Sequence, residues 1–133
     1  MRFMRIAGRV ILRVATAAAA AVVIASLAMA ILQIKPVIIL SGSMEPAIHT
    51  GSLVLINTKD KSAEPGDIIA FQRGDIFVTH RAIEVTKEGL LTKGDANDSR
   101  DPGIVRRDEI LGKTLCSLPK AGFILQVIKG FIT

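Results

Sequence analysis

At 133 residues the chain is long enough for one small domain and too short for two well-packed ones. Half of it is hydrophobic, yet it has no Trp, no Tyr and only five Phe, so the apolar mass is aliphatic and points to a membrane segment. The net charge of +5 argues against a nucleic-acid binder, because Arg2, Arg5, Arg9 and Arg13 all precede the first acidic residue, and without them the basic and acidic residues nearly balance.

Residues 1–13 therefore read as a basic cytoplasmic tail. From Val14 to Ile34 there are 21 residues without a charge. At ~1.5 Å per helical residue this segment spans the ~30 Å hydrocarbon core, which predicts a transmembrane helix over 14–34. The arginines lie before it and only Lys35 follows at once, so the positive-inside rule puts the N-terminus in the cytoplasm and the rest outside the cell membrane. Ala28-Met29-Ala30 has the small-x-small form of a signal-peptide cleavage site. The apolar stretch is too long for a cleavable signal and continues past that site, so retention as an anchor is the expectation.

After Pro36 the pattern changes to short aliphatic runs: Val37–Leu40, Leu53–Asn57, Ile68–Phe71, Ile76–Val85, Leu90–Thr92 and Ile110–Leu118. Their lengths predict strands. Pro65-Gly66-Asp67, Gln72-Arg73-Gly74-Asp75 and Lys87-Glu88-Gly89 supply turns between them. No long helical pattern alternates with these runs, so the fold class is mainly β: a small antiparallel domain over residues 36–120 behind the membrane helix. Residues 121–133 form an apolar segment interrupted by Lys129, expected to lie at the membrane interface or to begin a second membrane helix. Cys116 has no partner and no Cys or His at metal-ligand spacing, so a buried structural thiol is expected, with no metal and no cofactor.

Three groups could do chemistry. In Ser41-Gly42-Ser43-Met44-Glu45-Pro46 a glycine allows a tight bend and Pro46 restricts the backbone, so the Ser43 hydroxyl could be held rigidly, although most Ser-Gly-Ser turns are only polar loops. Serine needs a neighbouring base, and imidazole suits that task. His49 falls in a loop expected to be exposed. His80 lies within a strand where period two places it with Val78 and Ala82 on one face, the position of a structural histidine unless Ser43 is near. The loop Lys93–Pro102 offers Asp95, Asp98 and Asp101, one of which could orient the imidazole, while Asp98 reads as part of a solvated turn.

Ser41–Pro46, Pro65–Phe71, Thr79-His80-Arg81 and Leu91-Thr92-Lys93-Gly94-Asp95 together resemble type I signal peptidases, from the anchor to Phe123. His80 before Arg81 is similar to the endoplasmic-reticulum and archaeal branch, which carries His where most bacterial enzymes carry Lys. The resemblance implies Ser43 as nucleophile, His80 as base, Asp101 as the orienting acid and Asp95 as a supporting one. It further implies that Ser41 and the Ser43 amide donate to the oxyanion, and that Val37, Ile39, Leu40, Met44 and Thr79 line pockets for small side chains. The expected function is a membrane-bound serine endopeptidase that cleaves signal peptides from exported preproteins after a small residue. The expected partners are those signal peptides, the bilayer and the export translocon. The alternative is a non-catalytic, membrane-tethered β module acting as a complex subunit. A self-cleaving repressor-type protease would need a DNA-binding segment and usually a Lys base, neither of which is here.

Overall fold

The computed structural model describes residues 2–119 and 121. They form two compact units that divide between Leu32 and Gln33. The first is α1 (Arg2–Ile31), whose alanine-rich middle favours the helix strongly. Its stretch Ile6–Ile31 has a mean hydropathy of 2.3 and buries none of itself against protein. Such a helix calls for another apolar medium, and at ~1.5 Å per residue it exceeds a ~30 Å bilayer core. Its two hydroxyls turn back on the helix: Thr16 Oγ1 donates to the Arg13 carbonyl (2.9 Å) and Ser26 Oγ to the Val22 carbonyl (2.8 Å), so neither needs water.

Helix α1 includes Arg9 and Arg13 and stops three residues short of the expected Ile34. Gln33 takes a left-handed conformation (φ 54°), a helix-ending geometry that releases the chain into a strand. Its carbonyl accepts two hydrogen bonds from Thr58, from the backbone N at 2.9 Å and from Oγ1 at 2.8 Å.

The second unit is one six-stranded antiparallel sheet in the order β1-β2-β6-β3-β4-β5. The strands are β1 (Ile34–Ile38), β2 (Leu53–Asn57), β3 (Ile68–Arg73), β4 (Ile76–Val85), β5 (Leu90–Lys93) and β6 (Ile110–Leu118). All six expected strands are present. The first begins at Ile34 rather than Val37, because β1 pairs with β2 from Ile34↔Asn57 onward. Between β3 and β4, Gly74 is at φ 60°, a left-handed position that glycine adopts without the side-chain penalty and that tight hairpins favour.

Strand β3 is buried on both faces, which is why it reads as an unbroken apolar run. Ala70 joins a core of Ile39, Met44, Ile48, Val54 and Ile56. Its neighbours Ile69 and Phe71 join a second, of Leu90, Val105 and Ile110. Cys116 is exposed, contrary to the buried thiol expected. Strand β3 pairs with β6 only as far as Lys113, so the last residues of β6 extend beyond its cover. The expected C-terminal segment 121–133 lies outside the described residues apart from Ala121.

Candidate active site

Strand β1 leads into the turn that carries Ser43, and two anchors fix that turn. Met44, expected in a substrate pocket, is instead 1% exposed and packed in the first core, so the residue after Ser43 pins the backbone from inside. Behind it the chain closes on itself, with Ile48 N donating to the Met44 carbonyl (2.9 Å) and Thr50 N to Glu45 Oε1 (3.0 Å). His49, exposed as expected, bonds Glu45.

The second anchor comes from the β5–β6 loop, where Ala96 N donates to the Ser43 carbonyl at 2.9 Å. This approach requires glycine at position 94, since a Cβ there would sit 2.6 Å from the same carbonyl oxygen and 2.7 Å from Asn97 Nδ2. The resemblance drew attention to Gly94-Asp95 as a motif. The contact between Gly94 and Ser43 was invisible in the sequence.

Strand β4 brings His80 beneath the serine. His80 is 8% exposed, pairs in register with Ile69 and meets the edge of the Phe71 ring at a 6.4 Å centroid distance and 71°. Its two ring nitrogens have distinct partners: Nε2 lies 3.0 Å from Ser43 Oγ and Nδ1 lies 2.6 Å from Asp101 Oδ2. If Asp101 is ionised it can only accept, so Nδ1 carries hydrogen and Nε2 is left free to accept from the serine. The structure thus joins Ser43, His80 and Asp101, residues 37 and 21 positions apart in the chain.

Asp101 is fastened from both sides. Its N–H donates to the Thr92 carbonyl (2.8 Å), and Thr92 Oγ1 donates to Asp101 Oδ2 (2.7 Å). One residue on, Arg73 Nη1 donates to the Pro102 carbonyl at 2.6 Å while its guanidinium lies 5.5 Å from the Phe71 ring centroid. Asp95 belongs to a different arrangement. Both its oxygens accept from Arg81, at 2.8 Å from Nε and 2.6 Å from Nη2, and Arg81 Nη1 also donates to the Gly66 carbonyl at 2.7 Å. That guanidinium holds the Asp95 carboxyl below the ordinary aspartate range, and Asp95 in turn raises Arg81. Asp98 is exposed.

Beside the serine a cleft of about 570 Å³ runs between the end of β1 and the start of β4, lined by Val37, Ile39, Leu40, Ser41, Thr79 and their neighbours. A smaller cavity of about 200 Å³ shares Val37, Phe77 and Thr79 with it. Four of the five expected pocket residues therefore line the cleft, and Met44 does not. Ser41 is exposed and its Oγ lies 3.2 Å from Ser43 Oγ.

Residues 11–93 match the family described as signal peptidase, peptidase S26. Among curated proteins, the signal peptidase complex catalytic subunit SEC11 of Scheffersomyces stipitis is 33% identical over 106 residues, 69% of this chain and 64% of that protein. Signal peptidase I W of Bacillus subtilis is 42% identical over 79 residues, 54% of this chain and 42% of its own length. The catalytic subunit SEC11C of Homo sapiens is 32% identical over 110 residues, 71% of this chain and 57% of that protein. The chain spans less than two thirds of the length of each.

Proposed function

The chain belongs to the signal peptidase family, peptidase S26, and from that premise we propose that it is a membrane-bound serine endopeptidase that removes signal peptides from exported preproteins after a small residue. The observation that carries this reading is the hydrogen-bonded line from Ser43 Oγ through His80 to Asp101 at one end of an aliphatic cleft.

In the proposed reaction an extended signal peptide lies in the cleft, its small side chains against Val37, Ile39, Leu40 and Thr79. As Ser43 Oγ attacks the carbonyl carbon, His80 Nε2 takes the hydroxyl proton and Asp101 stabilises the imidazolium. The new oxyanion accepts from the Ser43 amide and the Ser41 hydroxyl, contacts of the kind worth roughly 2.7–4 kcal/mol each in transition-state stabilisation. The C–N bond breaks, Nε2 returns the proton to the leaving amine, and the mature protein departs. A water deprotonated by His80 then hydrolyses the ester on Ser43.

The apolar helix anchors the protein in the cell membrane, with the arginine-rich end cytoplasmic and the β domain outside. Ser43 comes only eight positions after Lys35, so at ~3.3–3.6 Å per residue the serine works within about 30 Å of the bilayer. Its partners are the signal peptides, the bilayer and the export translocon that presents them.

The test is cleavage of a preprotein with an A-x-A site by the protein reconstituted in liposomes, with the product's N-terminus read by mass spectrometry. Wild type should cut at the site, and Ser43→Ala and His80→Ala should leave the preprotein intact. Equal processing by wild type and Ser43→Ala would instead identify a tethered, non-catalytic β module.

A further inference from the structure

We propose that Thr92 is a positioning residue of the site, a fourth member of the chain Ser43–His80–Asp101 that acts by holding the aspartate carboxylate in place. This inference rests on the assignment of those three residues as the catalytic machinery.

The case begins with strand β5. Its alternation buries Leu90 and Thr92, and Thr92 is 1% exposed. A hydroxyl so placed needs an internal partner, because no bulk water reaches it. The register of β4 against β5 sets Ala82 opposite Thr92. Ala82 is two residues from His80 and therefore on the same face of β4. Thr92 consequently stands next to the imidazole without touching the serine.

Its hydroxyl and the His80 ring converge on one atom. Thr92 Oγ1 is 2.7 Å and His80 Nδ1 is 2.6 Å from Asp101 Oδ2. An ionised carboxylate only accepts, so the hydroxyl donates. The terminal torsion of an aspartate is soft and roughly two-fold, and one hydrogen bond from the ring would leave the carboxylate free to swing about it. The second donor, on a β-branched side chain with restricted χ1, defines where Oδ2 sits. The Asp101 N–H to Thr92 carbonyl bond at 2.8 Å keeps the two backbones together, so the pair moves as one piece.

The hydroxyl therefore supports the transition state, where His80 is charged and leans on Oδ2, more than it supports substrate binding. Loss of one hydrogen bond to a charged group corresponds to roughly a ten- to hundredfold fall in kcat, with KM nearly unchanged.

The experiment measures kcat, KM and thermal midpoint on an A-x-A preprotein for the reconstituted wild type and for Thr92→Ser, Thr92→Ala, Thr92→Val and Ser43→Ala. Serine and alanine share the missing methyl group and differ only in the hydroxyl, so their comparison holds even where the valine variant packs poorly. Thr92→Ser should stay within a few fold of wild type while Thr92→Ala and Thr92→Val lose about ten- to a hundredfold in kcat. In an Asp101→Ala background the same Thr92→Ala change should have almost no further effect, since the group it positions is gone. Equal kcat for the serine and alanine variants, or an undiminished loss in the Asp101→Ala background, overturns the inference while leaving the protease reading intact. Cleavage by Ser43→Ala as fast as wild type overturns both.

Discussion

Two aspartates of the loop between β5 and β6, Asp95 and Asp101, end in contrasting surroundings although their partners on β4 are consecutive residues. Asp95 meets Arg81 in a two-pronged ion pair. Asp101 meets His80 and Thr92. Successive side chains of a strand point to opposite faces, so the loop straddles β4 and delivers one carboxylate to each side. On one side the partner is a permanent cation, and the contact is a clamp between loop and strand. On the other it is an imidazole whose second nitrogen reaches Ser43 Oγ. Two identical side chains acquire different partners from which face of one strand they reach.

The sharpest way to break this comparison is to neutralise each carboxylate in turn. Asp101→Asn should lower kcat on the order of 10⁴-fold, as in the serine-protease precedent where an amide favours the wrong histidine tautomer, with KM and thermal midpoint little changed. If steady-state kinetics instead show most activity retained, Asp101 is not the orienting acid.

Gly94→Ala tests the clamp through geometry rather than charge. The new methyl would press on the Ser43 carbonyl and shift Ser43, and a displacement near 1 Å is worth on the order of 10²-fold in rate. Titration with a serine-directed phosphonate should show the same fall in labelling rate, and unchanged labelling would free Ser43 from this contact.

Asp95→Asn should act mainly on stability. Asp95 and Arg81 are partly buried, with side-chain exposures of 20% and 32%, which places the loss between surface and buried pairs at about 1–3 kcal/mol. Chemical denaturation would measure it, and kcat should fall less than about tenfold if the loop keeps its place. A variant as inactive as Ser43→Ala with unaltered stability would reverse the two roles.

The smallest expected effect is in the acid limb of stability. The Asp95 carboxyl is depressed in the folded state by Arg81, so its stabilisation is fully present above its unfolded value, near 3.8, and disappears as pH falls through the lower folded value. Folding free energy followed by denaturant midpoints should therefore drop less steeply below that pH in Asp95→Asn than in wild type. Identical slopes would mean that the ion pair contributes nothing in solution.

What could be read directly from the chain is what short-range physics controls. An uncharged stretch longer than a bilayer is thick, six aliphatic runs of strand length and glycine-bearing turns between them each have a local cause, and the antiparallel β fold followed from them. The resemblance then singled out Ser43, His80 and Asp101, residues that composition alone left among several serines, two histidines and a loop of three aspartates. Tertiary structure decided the rest. The strand order β1-β2-β6-β3-β4-β5 depends on long-range pairing. That pairing buries Met44 beneath Ser43, leaves Cys116 exposed where β6 runs past β3, sets Gly94 against the Ser43 carbonyl and places the Thr92 hydroxyl on Asp101. Each of these is fixed by a partner from elsewhere in the chain, across a register that local periodicity does not encode.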